Sequence, residues 1–225
     1  MKAWIFFAIL IIGVIKPTNA QNIQYSVHTE NYVSVTNFSN CHTNQLCVNY
    51  GLQSRQSGSF IVASPFASNL SNQDISPLVI SYSFSDGINT YNSSDPNARI
   101  HVFRISTDSN GKIINPNILL LKWLSGNNGS HSSVDRLSYL FLGARSVQNV
   151  TCSNIATAPT GIPDSCESAV MDSSSSRALP TGPLTWLYGS ENNQALPVPA
   201  LSEWALAALI LAMIPIAYLL FGRRI

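Results

Sequence analysis

Apolar and polar positions alternate every second residue in several short stretches of this chain. That period marks strands with one face buried and one face wet. Ile23, Tyr25 and Val27 alternate with polar residues, and Val33 and Val35 do the same. The polar stretch His28-Thr29-Glu30-Asn31 between them reads as the connecting turn. Phe60 to Ala63 is a short apolar run. The clearest alternation sets Leu78, Ile80, Tyr82 and Phe84 against Ser81, Ser83 and Ser85, and predicts a strand that buries the first set. Asp86-Gly87 ends it with turn chemistry. Residues 89–97 read as a polar loop and residues 99–106 as a strand. Asn110-Gly111 between apolar runs predicts a hairpin in which both central residues take positive φ. Residues 118–124 are almost continuously apolar, as in a central strand covered on both faces. Residues 126–133 read as a polar loop. Over 134–142, Leu137, Tyr139 and Phe141 fit a strand, whereas Val134, Leu137 and Phe141 fit a helical face; the neighbouring strands favour the first. Short strands separated by Gly, Asn, Ser and Pro turns predict an all-β domain of β-sandwich type. No repeat of fixed period is visible.

Beyond Cys166 the alternation dissolves. Ser173 to Ser176, followed by Pro180, Gly182 and Pro183, reads as a flexible linker. Trp186, Leu187 and Tyr188 either dock back on the domain or stand exposed. Each end of the chain is hydrophobic. Lys2, the apolar run from Ala3 to Ile15 and the small-residue site Thr18-Asn19-Ala20 have the layout of a secretory signal peptide, which predicts a mature chain beginning at Gln21. The apolar run is too short to span a bilayer. Ala205 to Phe221 carries no charge and, with Trp204, reaches the short end of a membrane-spanning helix. Pro215 is tolerated in such a helix. Arg223 and Arg224 at the far edge predict a C-terminus on the cytoplasmic side. The expected organisation is therefore a signal peptide over 1–20 and an exported β-sandwich-like domain over 21–166. A Ser/Pro/Gly-rich linker over 167–196 and a membrane-directed tail over 197–225 complete it.

Composition alters this picture modestly. Charged residues make up 10% of the 225, against roughly 25% in ordinary soluble proteins. Asn, Ser and Thr take their place on the expected surface. The formal net charge is +1 and no basic run exists, so nucleic acid is not an expected partner. Cys41, Cys47, Cys152 and Cys166 all lie in the exported part, and an even count there suggests disulfides. Four cysteines allow three connectivities. Cys41–Cys47 with Cys152–Cys166 is favoured, because near neighbours close small loops at little entropic cost. Their spacing is not that of a zinc site.

Candidate chemistry is sparse. None of His28, His42, His101 and His131 lies in a His-Glu-x-x-His spacing. No Gly-x-Ser-x-Gly elbow and no phosphate-cradling Gly-rich loop occurs, so no catalytic residue, metal or cofactor is assigned. His101, on its strand, could meet Asp86 and Asp108 from nearby turns, although a packed histidine is the simpler reading. Asp108-Ser109-Asn110-Gly111 is similar to the opening of a calcium loop but lacks the closing Glu and the length, which favours a turn. Asn37, Asn69, Asn92, Asn128 and Asn149 each begin an Asn-x-Ser/Thr triplet and are expected at the surface.

The flank of the C-terminal helix is more specific. Val198-Pro199-Ala200-Leu201-Ser202-Glu203-Trp204, then the helix, then Arg223-Arg224, resembles the bacterial IPTL-CTERM sorting signal, whose core reads Ile-Pro-Thr-Leu-Ser-Glu-Trp. Pro199, Leu201, Ser202, Glu203 and Trp204 match; Val198 stands for Ile and Ala200 for Thr. The resemblance covers only the tail. It implies processing by an exosortase-type transpeptidase of the bacterial inner membrane, with these residues as substrate, and delivery of the upstream part to the cell surface. The expected work of that part is adhesion, matrix building or ligand binding. A secreted hydrolase on the same fold and a plain membrane-anchored domain are the alternatives.

Overall fold

A computed structural model describes residues 22–41 and 46–190. They form thirteen strands: β1 (Ile23–His28), β2 (Tyr32–Thr36), β3 (Ser57–Val62), β4 (Gln73–Asp74), β5 (Val79–Ser85), β6 (Thr90–Asn92), β7 (Ala98–Thr107), β8 (Ile113–Trp123), β9 (Arg136–Phe141), β10 (Arg145–Ala156), β11 (Ser165–Val170), β12 (Ser176–Pro180) and β13 (Thr185–Ser190). A smaller antiparallel sheet runs β13-β1-β3-β5-β6, and a larger one runs β2-β12-β10-β9-β8-β7-β4, with β11 added on β10. The all-β expectation holds, and the two sheets pack as in a β-sandwich. Phe60 of the smaller sheet meets Phe103 of the larger edge-on at 5.0 Å. Tyr25, Phe84, Ile105, Ile118 and Leu120 fill the same core. The continuous apolar run in β8 has the predicted cause. Ile118 and Leu120 enter the inter-sheet core, while Leu121 and Trp123 enter a second cluster with Leu137, Val147 and Val150.

Several local expectations need correction. In β5, Tyr82 and Phe84 are buried, but Ile80 is 55% exposed. Ser81 pairs with Ile61 and Val79 with Val62, so Ile80 is an extra residue in a bulge, and a bulge reverses the facing of what precedes it. Leu78 lies in a 3₁₀ turn (Ser76–Leu78) and is also exposed. The loop expected over 89–97 contains β6, whose Tyr91 is fully buried. Residues 28–31 join strands of different sheets, and the buried residue of β2 is Tyr32, not Val33. At the β7–β8 turn Gly111 has φ 77°, while Asn110 is not among the positive-φ residues. The Asp108 carboxylate accepts from the backbone N–H of Asn110 and Lys112, which makes this a three-residue turn ending in glycine.

The largest correction concerns the expected linker. Much of 167–190 is strand: most of β11 and all of β12 and β13 lie there, and Ser174, Ser175 and Ser176 are buried. Serine carries no apolar pattern, yet its hydroxyl can satisfy buried backbone. The Ser175 hydroxyl donates to the Asn149 carbonyl at 2.8 Å. Asn149 itself is buried at φ 61°, against its expected surface position; Asn37, Asn69 and Asn128 are exposed. Trp186 packs on the inter-sheet core, whereas Leu187 and Tyr188 remain exposed.

One end of the sandwich is closed by polar groups. Asp86 is fully buried, and among the described residues it forms no salt bridge. Its Oδ2 accepts from Tyr50 at 2.9 Å and Tyr91 at 2.8 Å, and its Oδ1 accepts from the backbone N–H of Ile88 and Asn89. The Tyr32 hydroxyl donates to the Asp86 carbonyl at 2.7 Å. Burial, followed by the Asp86 charge, pushes the Tyr50 and Tyr91 hydroxyls well above their ordinary pKa, so they stay protonated and donate. Gln56 reaches across to the Phe141 carbonyl and the Ser146 hydroxyl of the larger sheet. Four donors on one carboxylate offset its desolvation, and each such bond to a charged group contributes about 1.5–3 kcal/mol.

Candidate functional site

The outer face of the larger sheet carries a groove of about 180 Å³. Strand β7 supplies one side through a bulge. Ile100 pairs with Leu120 and Val102 with Leu119, which leaves His101 as the extra residue. Ile100 and Phe103 point into the inter-sheet core, and His101 turns outward. Leu119, Leu121 and Phe141 of β8 and β9 form the apolar floor, with Tyr139 beside them. The opposite wall is β11, which pairs with the second half of β10; its Cys166, Glu167 and Ala169 face the groove. The Cys152–Cys166 disulfide ties this hairpin together, and both sulfurs sit in the second core cluster.

The polar groups of the groove are held in place. The His101 ring Nδ1 lies 3.1 Å from the Ser165 hydroxyl, which leaves Nε2 for the groove. Burial lowers the His101 pKa, with the Glu167 charge opposing, so the ring is neutral at pH 7. The Glu167 carboxylate accepts from the Asn154 amide at 2.7 Å. The Arg145 guanidinium lies 5.6 Å from the centre of the Tyr139 ring, a cation–π distance. Burial raises the Tyr139 pKa, with Arg145 and Arg177 opposing.

A second cluster braces the neighbouring loop. Asp164 has φ 56° and directly precedes Ser165. Its Oδ1 accepts from the His131 N–H at 3.0 Å; its Oδ2 accepts from Gly129 N–H at 3.0 Å and lies 2.6 Å from His131 Nδ1 and 3.3 Å from Arg99. Burial raises its pKa, but the bonds and charge from His131 and the bond from Arg99 outweigh this and hold it below the usual carboxylate range. The His131 ring stacks on Trp123 at 4.1 Å and 4°. Trp123 donates through Nε1 to the Asp164 carbonyl at 3.0 Å. The polar loop over 126–133 is thus pinned to the sheet beside the groove.

The groove can offer hydrogen-bonding groups to a polar ligand through His101, Tyr139, Arg145 and Glu167. Ser165 is fully buried behind His101, so the His–Ser pair offers no nucleophile to the groove. Among the described residues no carboxylate hydrogen-bonds His101, and no group of His, Cys, Asp and Glu could hold a metal ion. The structure does not bring His101 together with Asp86 and Asp108. Asp86 is enclosed by tyrosines, and Asp108 caps the β7–β8 turn. The His28 ring rests 3.2 Å from the Thr29 carbonyl, and His42 lies outside the described residues.

Both predicted disulfides, Cys41–Cys47 and Cys152–Cys166, are present. They point to an oxidising environment. The predicted signal peptide, the sorting residues Val198 to Trp204 and the basic pair Arg223-Arg224 lie outside the described residues. Among the described residues no helix is long and apolar enough to cross a membrane. Sequence reasoning missed Tyr139, Arg145, Asp164 and Glu167 as neighbours. The His101 bulge and the fold of β11 over the sheet bring them close, and neither leaves a short-range signature. Comparison with known proteins finds no matching family model, no similar curated protein and no similar solved structure.

Proposed function

We propose that this chain is an exported bacterial surface protein whose β-sandwich is a ligand-binding module, delivered through its C-terminal sorting signal. The observation that carries the reading is the pairing of all four cysteines into two short-range disulfides. Such crosslinks persist outside the reducing cytoplasm. The secretory layout of residues 1–20 agrees with them. The tail then acts as an address: Pro199, Leu201, Ser202, Glu203 and Trp204 present the motif to an exosortase-type transpeptidase, and Arg223-Arg224 fix the orientation of the precursor in the inner membrane. The domain upstream is cargo. Its outer-face groove supports binding over hydrolysis, because among the described residues the serine hydroxyl that pairs with His101, that of Ser165, is fully buried.

Substitution of the motif tests this directly. Pro199→Ala and Glu203→Ala are expected to accumulate oxidised precursor in the membrane fraction of the native host. Unchanged processing of both variants contradicts this role for the motif residues, whereas a parent chain that is never cut favours a plain anchor.

A further inference from the structure

From the groove between β7–β9 and the β10–β11 hairpin, we infer a binding site for one neutral sugar ring of a surface or matrix glycan, with Arg145 and Glu167 gripping its hydroxyls. The inference deepens the proposed binding role and rests on it.

Size comes first. About 180 Å³ suits a single pyranose or an amino-acid residue and is too small for an oligomer, so a glycan would place one residue here. Charge comes second. Arg145 is exposed and enters no ion pair among the described residues, and Glu167, which lines the same groove, accepts from the Asn154 amide. A guanidinium and a carboxylate balance, and the buried imidazole adds no charge at neutral pH. An anionic ligand would face Glu167, and a cationic one would face Arg145. Hydrogen-bond capacity comes third. The carboxylate only accepts and the guanidinium only donates, while imidazole Nε2 and the Tyr139 hydroxyl complete the set. Neighbouring sugar hydroxyls both donate and accept, so they can meet all of these groups at once. Shape comes last. Leu119, Leu121 and Phe141 offer an apolar floor to the C–H face of the ring, the division of labour usual in small-ligand sites. A zwitterionic amino acid such as leucine matches the two charges but brings no hydroxyl to His101 and Tyr139.

The full chain, purified in detergent without reductant, should be applied to an array of neutral hexose and acidic glycans, with free leucine as competitor. Retention of neutral glycans is expected. Binding should weaken about tenfold or more in both Arg145→Ala and Glu167→Gln, the effect of losing roughly one charge-assisted contact. Lys112→Ala, in the exposed β7–β8 turn, should bind as the parent does. All three side chains are exposed, and thermal midpoints should confirm that the variants fold. The inference is overturned if no neutral glycan is retained, if acidic glycans are preferred, if leucine displaces the glycan, or if Arg145→Ala and Glu167→Gln bind unchanged. A correctly exported protein that ignores neutral glycans defeats this assignment alone. A sugar-binding protein that never leaves the cytoplasm defeats the export reading instead.

Discussion

Asp164 holds a backbone conformation that few side chains tolerate, at φ 56°, and its carboxylate serves three neighbours at once. The folded carboxyl titrates below its ordinary value of 3.8. Its contribution to stability is therefore complete above that value and is lost as the pH falls through the lower folded value. Asp164→Asn should cost about 3 kcal/mol at pH 7, because Arg99 is then left buried without its anion. The variant should also lose less stability than the parent as the pH falls below 3.8. Urea midpoints at pH 7 and pH 3 measure both effects, and equal losses on acidification would refute this role for the carboxylate. Little of this was legible in the sequence. Asp86 and Asp164 both look like turn residues, and turn chemistry does place them. What sequence hides is the burial of each carboxylate under donors distant in the chain, such as Tyr50 for Asp86 and Arg99 for Asp164.

At the scale of elements, alternation was informative wherever apolar side chains mark the buried face. The strands containing Tyr25, Phe84, Phe103 and Ile118 could be read directly. Bulges broke the pattern at Ile80 and His101, since an added residue changes facing without changing composition. Strand β12 escaped because Ser176 and Ala178 are buried against neighbours and give no hydrophobic alternation. Gly58 is a subtler case. A Cβ there would lie 2.4 Å from the Phe84 ring, so glycine lets that ring lie against the backbone of the paired strand. The β10–β11 hairpin is the element on which the groove depends. Its disulfide closes a loop of sequence separation 14, for which chain entropy gives about 3 kcal/mol. Replacing both Cys152 and Cys166 by Ser should lower stability by roughly that amount. Hydrogen exchange should rise in β11 more than in β3. Uniform exchange across both strands would show that the crosslink does not hold the wall.

At the scale of the whole molecule, the proposed tasks are divided along the chain. A sandwich of two antiparallel sheets presents one sculpted outer face, and buried tyrosines and Asp86 seal one of its ends. With only 10% of residues charged, the proposed recognition would fall to hydroxyls, amides and a few ions, among them Arg145 and Glu167. The delivery signals proposed for the two ends are read from short, local rules of charge and hydrophobicity. The groove was not legible, because it is assembled from five successive strands, β7 to β11, whose facing is set by pairing and by the bulge at His101.

The most direct measurement is the intact, non-reduced mass of the protein recovered from the native cell surface. The account predicts a chain that begins at Gln21, carries both disulfides and lacks the residues beyond the Pro-x-Leu-Ser-Glu-Trp motif. A mass that includes Ile225, or one that reveals free thiols, would contradict it.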